Sequence, residues 1–245
     1  MDRIFVSCVS GFFLLALSDA SQAQTQESHV TKDISGWTVQ VNRMLLSSDS
    51  VKTERALELL KVQLDEIVRV VPENSVTELK KVTLWFSPEY VGTQPRAEYH
   101  PGAGWLRENH RDPVMVKGIE FSNVRIFEEE TRRMPNFALH ELAHAFHDRV
   151  LPRGFGNPDI KAAYDVAKRN GNYDRVERRD SEGRAKMDRA YAMTNPQEFF
   201  AESTEAFFSR NDFYPYDRKE LYHHDPTTLK LIANIWGVKS FNLEP

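Results

Sequence analysis

His140-Glu141-Leu142-Ala143-His144 is an H-E-x-x-H pattern. On a helix, residues i and i+4 lie one turn apart on the same face, so both imidazoles can reach one Zn²⁺. Glu141 projects beside them and is placed to take a proton from metal-bound water without being a ligand. Leu139, Leu142, Ala143, Phe146 and Val150 argue for the helix independently. They form an apolar stripe that buries one side and leaves the histidine face to line a cleft. Two histidines one turn apart also occur as half-buried polar residues, so a third ligand has to be found.

Spacing narrows the search. An H-E-x-x-H-x-x-G-x-x-H layout needs glycine at 147 and histidine at 150, where the chain has His147 and Val150. A glutamate ligand about twenty residues on is excluded as well, because no glutamate lies between His144 and Glu177. A longer spacer leads to Glu198-Phe199-Phe200-Ala201-Glu202. That run opens a helix, with Thr194 or Asn195 as N-cap, Pro196 in the first turn, and Thr194 with Gln197 spaced for a capping box. Glu198, Glu202 and Glu205 fall at i, i+4 and i+7, opposite Phe200 and Phe207. An acidic stripe is ordinarily a solvated helix face. Downstream of H-E-x-x-H it offers Glu198 as the third member of a His₂Glu site with an open fourth position. Glu202, one turn on, is placed to accept the second ring N–H of a ligand histidine.

These residues resemble the anthrax lethal factor-like zinc metallopeptidases of the gluzincin group. The resemblance rests on H-E-x-x-H at 140–144, E-F-F-A-E at 198–202, and Tyr191 seven residues before Glu198. It covers roughly residues 130–210. It implies a zincin-like fold, one Zn²⁺ per chain, Glu198 as third ligand, and Tyr191 as hydrogen-bond donor to the oxyanion of a peptide or protein substrate. Ala143 stands where the family usually has glycine before the second histidine. The spacer is also longer by several residues, so substrate contacts from the intervening segment do not transfer. Two other readings stand beside the peptidase: a non-catalytic secreted binding protein that retains fold and metal, and a zinc hydrolase of non-peptide amides.

The elements that must position these residues read as α+β, strands first and helices after. Residues 1–23 form a secretory signal peptide, with Arg3, an apolar run from Ile4 to Leu17, and small residues at Ser21 and Ala23. The apolar run is too short to span a bilayer comfortably, so no stable membrane insertion is expected, and the address is secreted or periplasmic. Residues 24–52 read as a flexible lead-in and 53–245 as one catalytic domain. Leu57, Leu60, Leu64, Val68 and Val71 recur at helical spacing up to Pro72. Strands are expected at 79–86, 114–121 and 123–127, with a long loop at 87–113 containing His100 and Trp105. Helices are expected at 135–150, 158–170, 184–192, 196–209 and 226–236. The small sheet therefore precedes a mostly helical half that carries the zinc site. An extended substrate is expected along the edge of the 114–121 strand. His100, Trp105 and His147 read as loop or core residues, and His223 and His224, which diverge in direction, as surface. A net charge of −4 provides no broad basic face for nucleic acid, and the single cysteine, Cys8, excludes a disulfide scaffold. Oligomeric state is not legible in the chain.

Overall fold

The computed structural model describes residues 28–242. The signal peptide expected at 1–23 lies outside the described residues.

Trp37, Val39 and Val41 alternate with Thr38 and Gln40, the two-residue period of a half-buried strand. They place β2 (Trp37–Asn42) against β1 (His29–Ile34) in a hairpin. Its two-residue turn carries Ser35 and Gly36 at φ 54° and 89°, where glycine has no Cβ to clash. The expectation of a flexible lead-in at 24–52 is therefore corrected for residues 29–48, which continue into α1 (Arg43–Ser48). Trp37, Val39 and Val41 are fully buried, which ties this segment to the core.

Helix α2 (Ser50–Val70) buries Leu57, Leu60, Leu64 and Ile67. Ile67, not the exposed Val68, continues the stripe. After α3 (Glu73–Leu79) come three short strands: β3 (Leu84–Phe86), β4 (Ala97–Tyr99) and β5 (Ile119–Phe121). The sheet order is β1-β2-β3-β5-β4, with β2, β3 and β5 parallel and both outer strands antiparallel to their neighbours. Four expectations change here. The strands at 79–86 and 114–121 each shrink to their last three residues, the loop at 87–113 holds β4 and α4 (Ala103–Glu108), and 123–127 is a 3₁₀ turn leading into α5 (Phe127–Arg133). Three-residue strands carry too few positions to show a period.

The helical half follows: α6 (Phe137–Arg149), α7 (Pro158–Asn170), α8 (Pro196–Phe208), α9 (Arg218–His224) and α10 (Pro226–Trp236). The helix expected at 184–192 is instead strand β7 (Ala185–Asp188) and a 3₁₀ turn at Tyr191–Met193; β7 pairs with β6 (Val176–Arg179) in an antiparallel hairpin. Phe86, Phe121, Phe127 and Phe137 pack ring to ring between sheet and helices, with centroids 4.7–6.1 Å apart. Trp236 stacks on Phe146 at 4.2 Å and donates its indole N–H to Thr204, joining α6, α8 and α10.

On the other face of the sheet, Glu120 is fully buried. It accepts bonds from Arg111 at 2.6 Å and Tyr90 at 2.7 Å, and His100 Nε2 lies 3.0 Å away. Arg111 also holds Glu98 at 3.0 Å, so Glu98 and His100 fasten β4 from behind. His100 and Trp105, stacked at 5.5 Å, thus lie under the sheet and not in a cleft. Burial pushes the Glu120 carboxyl up, but hydrogen bonds from His100, Ser87 and Tyr90 and the Arg111 charge outweigh it and bring it down to about 2. A carboxyl lowered in the fold stabilises it above its unfolded value, and that stability is lost as pH falls from the ordinary 4.5 towards 2. Glu120→Gln leaves Arg111 without its main partner and is expected to cost about 3–5 kcal/mol in denaturant unfolding at pH 7. A loss under about 1 kcal/mol would show that the cluster is not what fastens β4.

Candidate metal centre

Helix α6 is capped by Asn136, whose side chain accepts the Leu139 N–H, and it presents His140 and His144 one turn apart. Helix α8 packs along α6 and is capped by Asn195, which accepts the Glu198 N–H at 2.8 Å. Asn195, not Thr194, is thus the cap. This bond holds Glu198 in the first turn, where the helix dipole favours a carboxylate.

The two helices bring three donor atoms together. His140 Nε2 is 3.1 Å from His144 Nε2 and 3.1 Å from Glu198 Oε2, and His144 Nε2 is 3.3 Å from the same oxygen. A tetrahedral ion bound at about 2.0–2.1 Å separates its ligand atoms by about 3.3 Å. Two imidazole nitrogens and a carboxylate oxygen converging at that spacing fit one Zn²⁺-sized cation. Burial raises the Glu198 carboxyl, but hydrogen bonds from both histidines hold it well below the usual carboxylate range. Burial lowers the His140 imidazole, but the Glu205 charge and hydrogen bonds donated to Glu198 and Glu205 raise it well above its ordinary value.

Behind His140 the expected contact changes. Nδ1 lies 3.0 Å from Glu205 and 3.7 Å from Glu202, so Glu205 and not Glu202 is at hydrogen-bonding distance. Glu202 instead accepts a bond from Asn211 at 3.0 Å. Both carboxyls are buried, and the pair repels. Burial and then the Glu205 charge push Glu202 well up; burial raises Glu205 too, and the facing His140 opposes that rise. The i, i+7 place of Glu205 on the acidic stripe was the available signal; which member meets the imidazole depends on how α6 and α8 cross.

His140, Glu141, His144, Tyr191 and Glu198 all line one cavity of about 760 Å³. One oxygen of Glu141 accepts the backbone N–H of Tyr99 at 2.8 Å. Tyr99 belongs to β4, the outer strand, whereas β5 lies between β3 and β4. The open edge beside the site is therefore β4, which corrects the expectation of an edge at 114–121. Tyr191 is about half exposed; burial and then the Glu198 charge raise its phenol, which stays protonated at neutral pH.

His147 does not reach the cavity. It is fully buried between Phe155 and Phe200, and neither ring nitrogen has a partner. Burial, then the His144 charge, lower it to about 4. A histidine lowered in the fold costs stability as pH falls from its unfolded value towards its folded one, because only the unfolded chain takes up the proton. His147→Leu is expected to stabilise by about 1 kcal/mol at pH 7. Its advantage should widen by about 3 kcal/mol between pH 6.5 and 4 in denaturant melts. A destabilised variant at every pH would mean the imidazole has a partner after all.

An α+β fold in which two histidines and a glutamate converge beside Glu141 fits a metallopeptidase. The model of the glucose-regulated metallo-peptidase M90 family matches residues 107–225, just under half of the chain and including all of these side chains. The match supports a metallopeptidase hydrolase with a metal cofactor and peptide substrates. No curated protein and no solved structure gives a significant match. Among the described residues no helix is long and apolar enough to cross a membrane.

Proposed function

We propose that this chain is an exported zinc endopeptidase of the lethal factor-like type, with His140, His144 and Glu198 as ligands of one Zn²⁺. The observation that carries the reading is the mutual spacing of those three donor atoms, 3.1–3.3 Å, inside a cavity that also holds Glu141. Bound there, zinc supplies a Lewis acid that acidifies water and polarises the scissile carbonyl. The remaining work falls to the chain. Glu141, steadied by the Tyr99 N–H, takes a proton from the attacking water and delivers it to the leaving amine. The Tyr191 phenol donates to the oxyanion that develops on the substrate. The open edge of β4 aligns an extended peptide through its backbone. Export rests on the n-region, apolar run and cleavage site within residues 1–23.

The test is metal content and turnover on one preparation. One zinc per chain is expected, with hydrolysis of a quenched peptide library that a chelator abolishes and added zinc restores. Hydrolysis that survives complete chelation, or a zinc-loaded protein that cleaves no peptide, would sink the reading.

A further inference from the structure

The cleft has two unlike ends. Ala97 of β4 pairs with Phe121, whose ring lies 6.1 Å from Phe137 at the start of α6. Two residues on, the Tyr99 hydroxyl reaches Asp148 at the end of the same helix, so β4 and α6 run in the same direction along the cleft. Phe155, 6.5 Å from the His144 ring, marks the far end. Arg96, Arg133 and Arg178 line the end by the start of α6.

These guanidinium groups are organised, not merely present. Asp212, almost wholly buried, accepts Arg133 at 2.7 Å and the Nε of Arg178 at 3.1 Å. The Arg178 plane also lies over Phe213 at 4.7 Å. Arg133 spends both terminal nitrogens on Asp212 and Glu130. The two terminal nitrogens of Arg178 have no hydrogen-bond partner among the described residues. Arg96 is similar, with its Nε 3.5 Å from Glu98, which Arg111 already holds, and its terminal nitrogens without a hydrogen-bond partner among the described residues. Arg178, fixed at Nε by Asp212 and over the Phe213 face, keeps a preorganised fork of donors, the geometry that takes a carboxylate bidentately.

We propose that this end of the cleft recognises a carboxylate of the peptide substrate, either an acidic side chain or the chain's own C-terminus, with Arg178 as its main determinant and Arg96 as its second. The inference rests on the peptidase reading. Peptides that differ only by Glu or Gln at one position, each as free acid and as C-terminal amide, separate the two sources. They are assayed for hydrolysis by the zinc-loaded protein and, by fluorescence anisotropy, for binding to Glu141→Gln protein. Either Glu over Gln, or acid over amide, is expected to raise kcat/KM and binding by about tenfold, through KM. That ratio falls to about twofold or less in Arg178→Gln and survives in Arg184→Gln, a change on the exposed hairpin turn. Because it is taken within one preparation, partial misfolding cancels. Equal treatment of all four peptides, or a ratio that persists in Arg178→Gln, overturns the proposal while leaving the peptidase intact. Absence of hydrolysis overturns the peptidase reading instead, and the anisotropy ratios then decide the carboxylate preference alone.

Discussion

Glu141→Gln is expected to lower peptide hydrolysis by about 10²–10⁴-fold, the range for loss of a general base, with zinc content unchanged. The substitution is nearly isosteric and keeps an oxygen that can accept the Tyr99 N–H, the 2.8 Å bond that joins α6 to the edge strand. Cleft geometry is thereby preserved while the proton acceptor disappears. Tyr191→Phe belongs in the same assay. It removes one donor to the oxyanion and is expected to cost about 10²–10³-fold in kcat, again with metal retained. Its ring is half exposed in a 3₁₀ turn, so the lost hydroxyl should leave the melting curve in place. Full activity of zinc-loaded Glu141→Gln would remove this residue from the chemistry.

The second large effect concerns metal affinity, and it ranks three glutamates of one helix. Glu198→Ala takes away one of the three converging atoms and should abolish both stoichiometric zinc and hydrolysis. Glu205→Gln leaves the ligands in place but replaces the carboxyl 3.0 Å from His140 Nδ1 by an amide; outer partners of this kind are worth about 10–100-fold in metal affinity. Glu202→Gln should matter less, since its carboxyl stands 3.7 Å from the same nitrogen, bonds Asn211, and is already pushed towards the neutral form by burial and by Glu205. Competition against a chelator of known affinity measures all three. A Glu202→Gln variant that binds zinc more weakly than Glu205→Gln would reverse the assignment of the residue behind His140.

Much of this site was written in local sequence. Whether His140 and His144 share a face follows from 3.6 residues per turn, and the apolar stripe through Leu139, Leu142, Ala143 and Phe146 settles that α6 exists. Helices α7, α8 and α10 begin at Asn157-Pro158, Asn195-Pro196 and Asp225-Pro226, short-range signals of cap and first turn that need no knowledge of the fold. Even the choice of Glu198 followed from elimination by spacing. The opening hairpin carried a signal in the alternation of Trp37, Val39 and Val41 after Ser35-Gly36, but the polar residues before it led to the reading of a flexible lead-in.

Tertiary structure decided the rest, because pairing between distant segments leaves no mark on either one. Nothing within Ala97–Tyr99 announces an outer strand, and nothing in 114–121 says that its last three residues lie between two others. The burial of Glu120 exists only once Arg111, Tyr90 and His100 are folded over it. The charged stretch 176–188 has helical composition in part, yet β6 pairs with β7 on one side, and Arg179 and Tyr214 exchange backbone bonds with Asp212 and Glu177 on the other. Local periodicity determines which face of an element is buried. Only the crossing of α6 and α8 determines which glutamate that face meets, since adjacent turns of one helix differ by a few ångströms and a hydrogen bond tolerates far less.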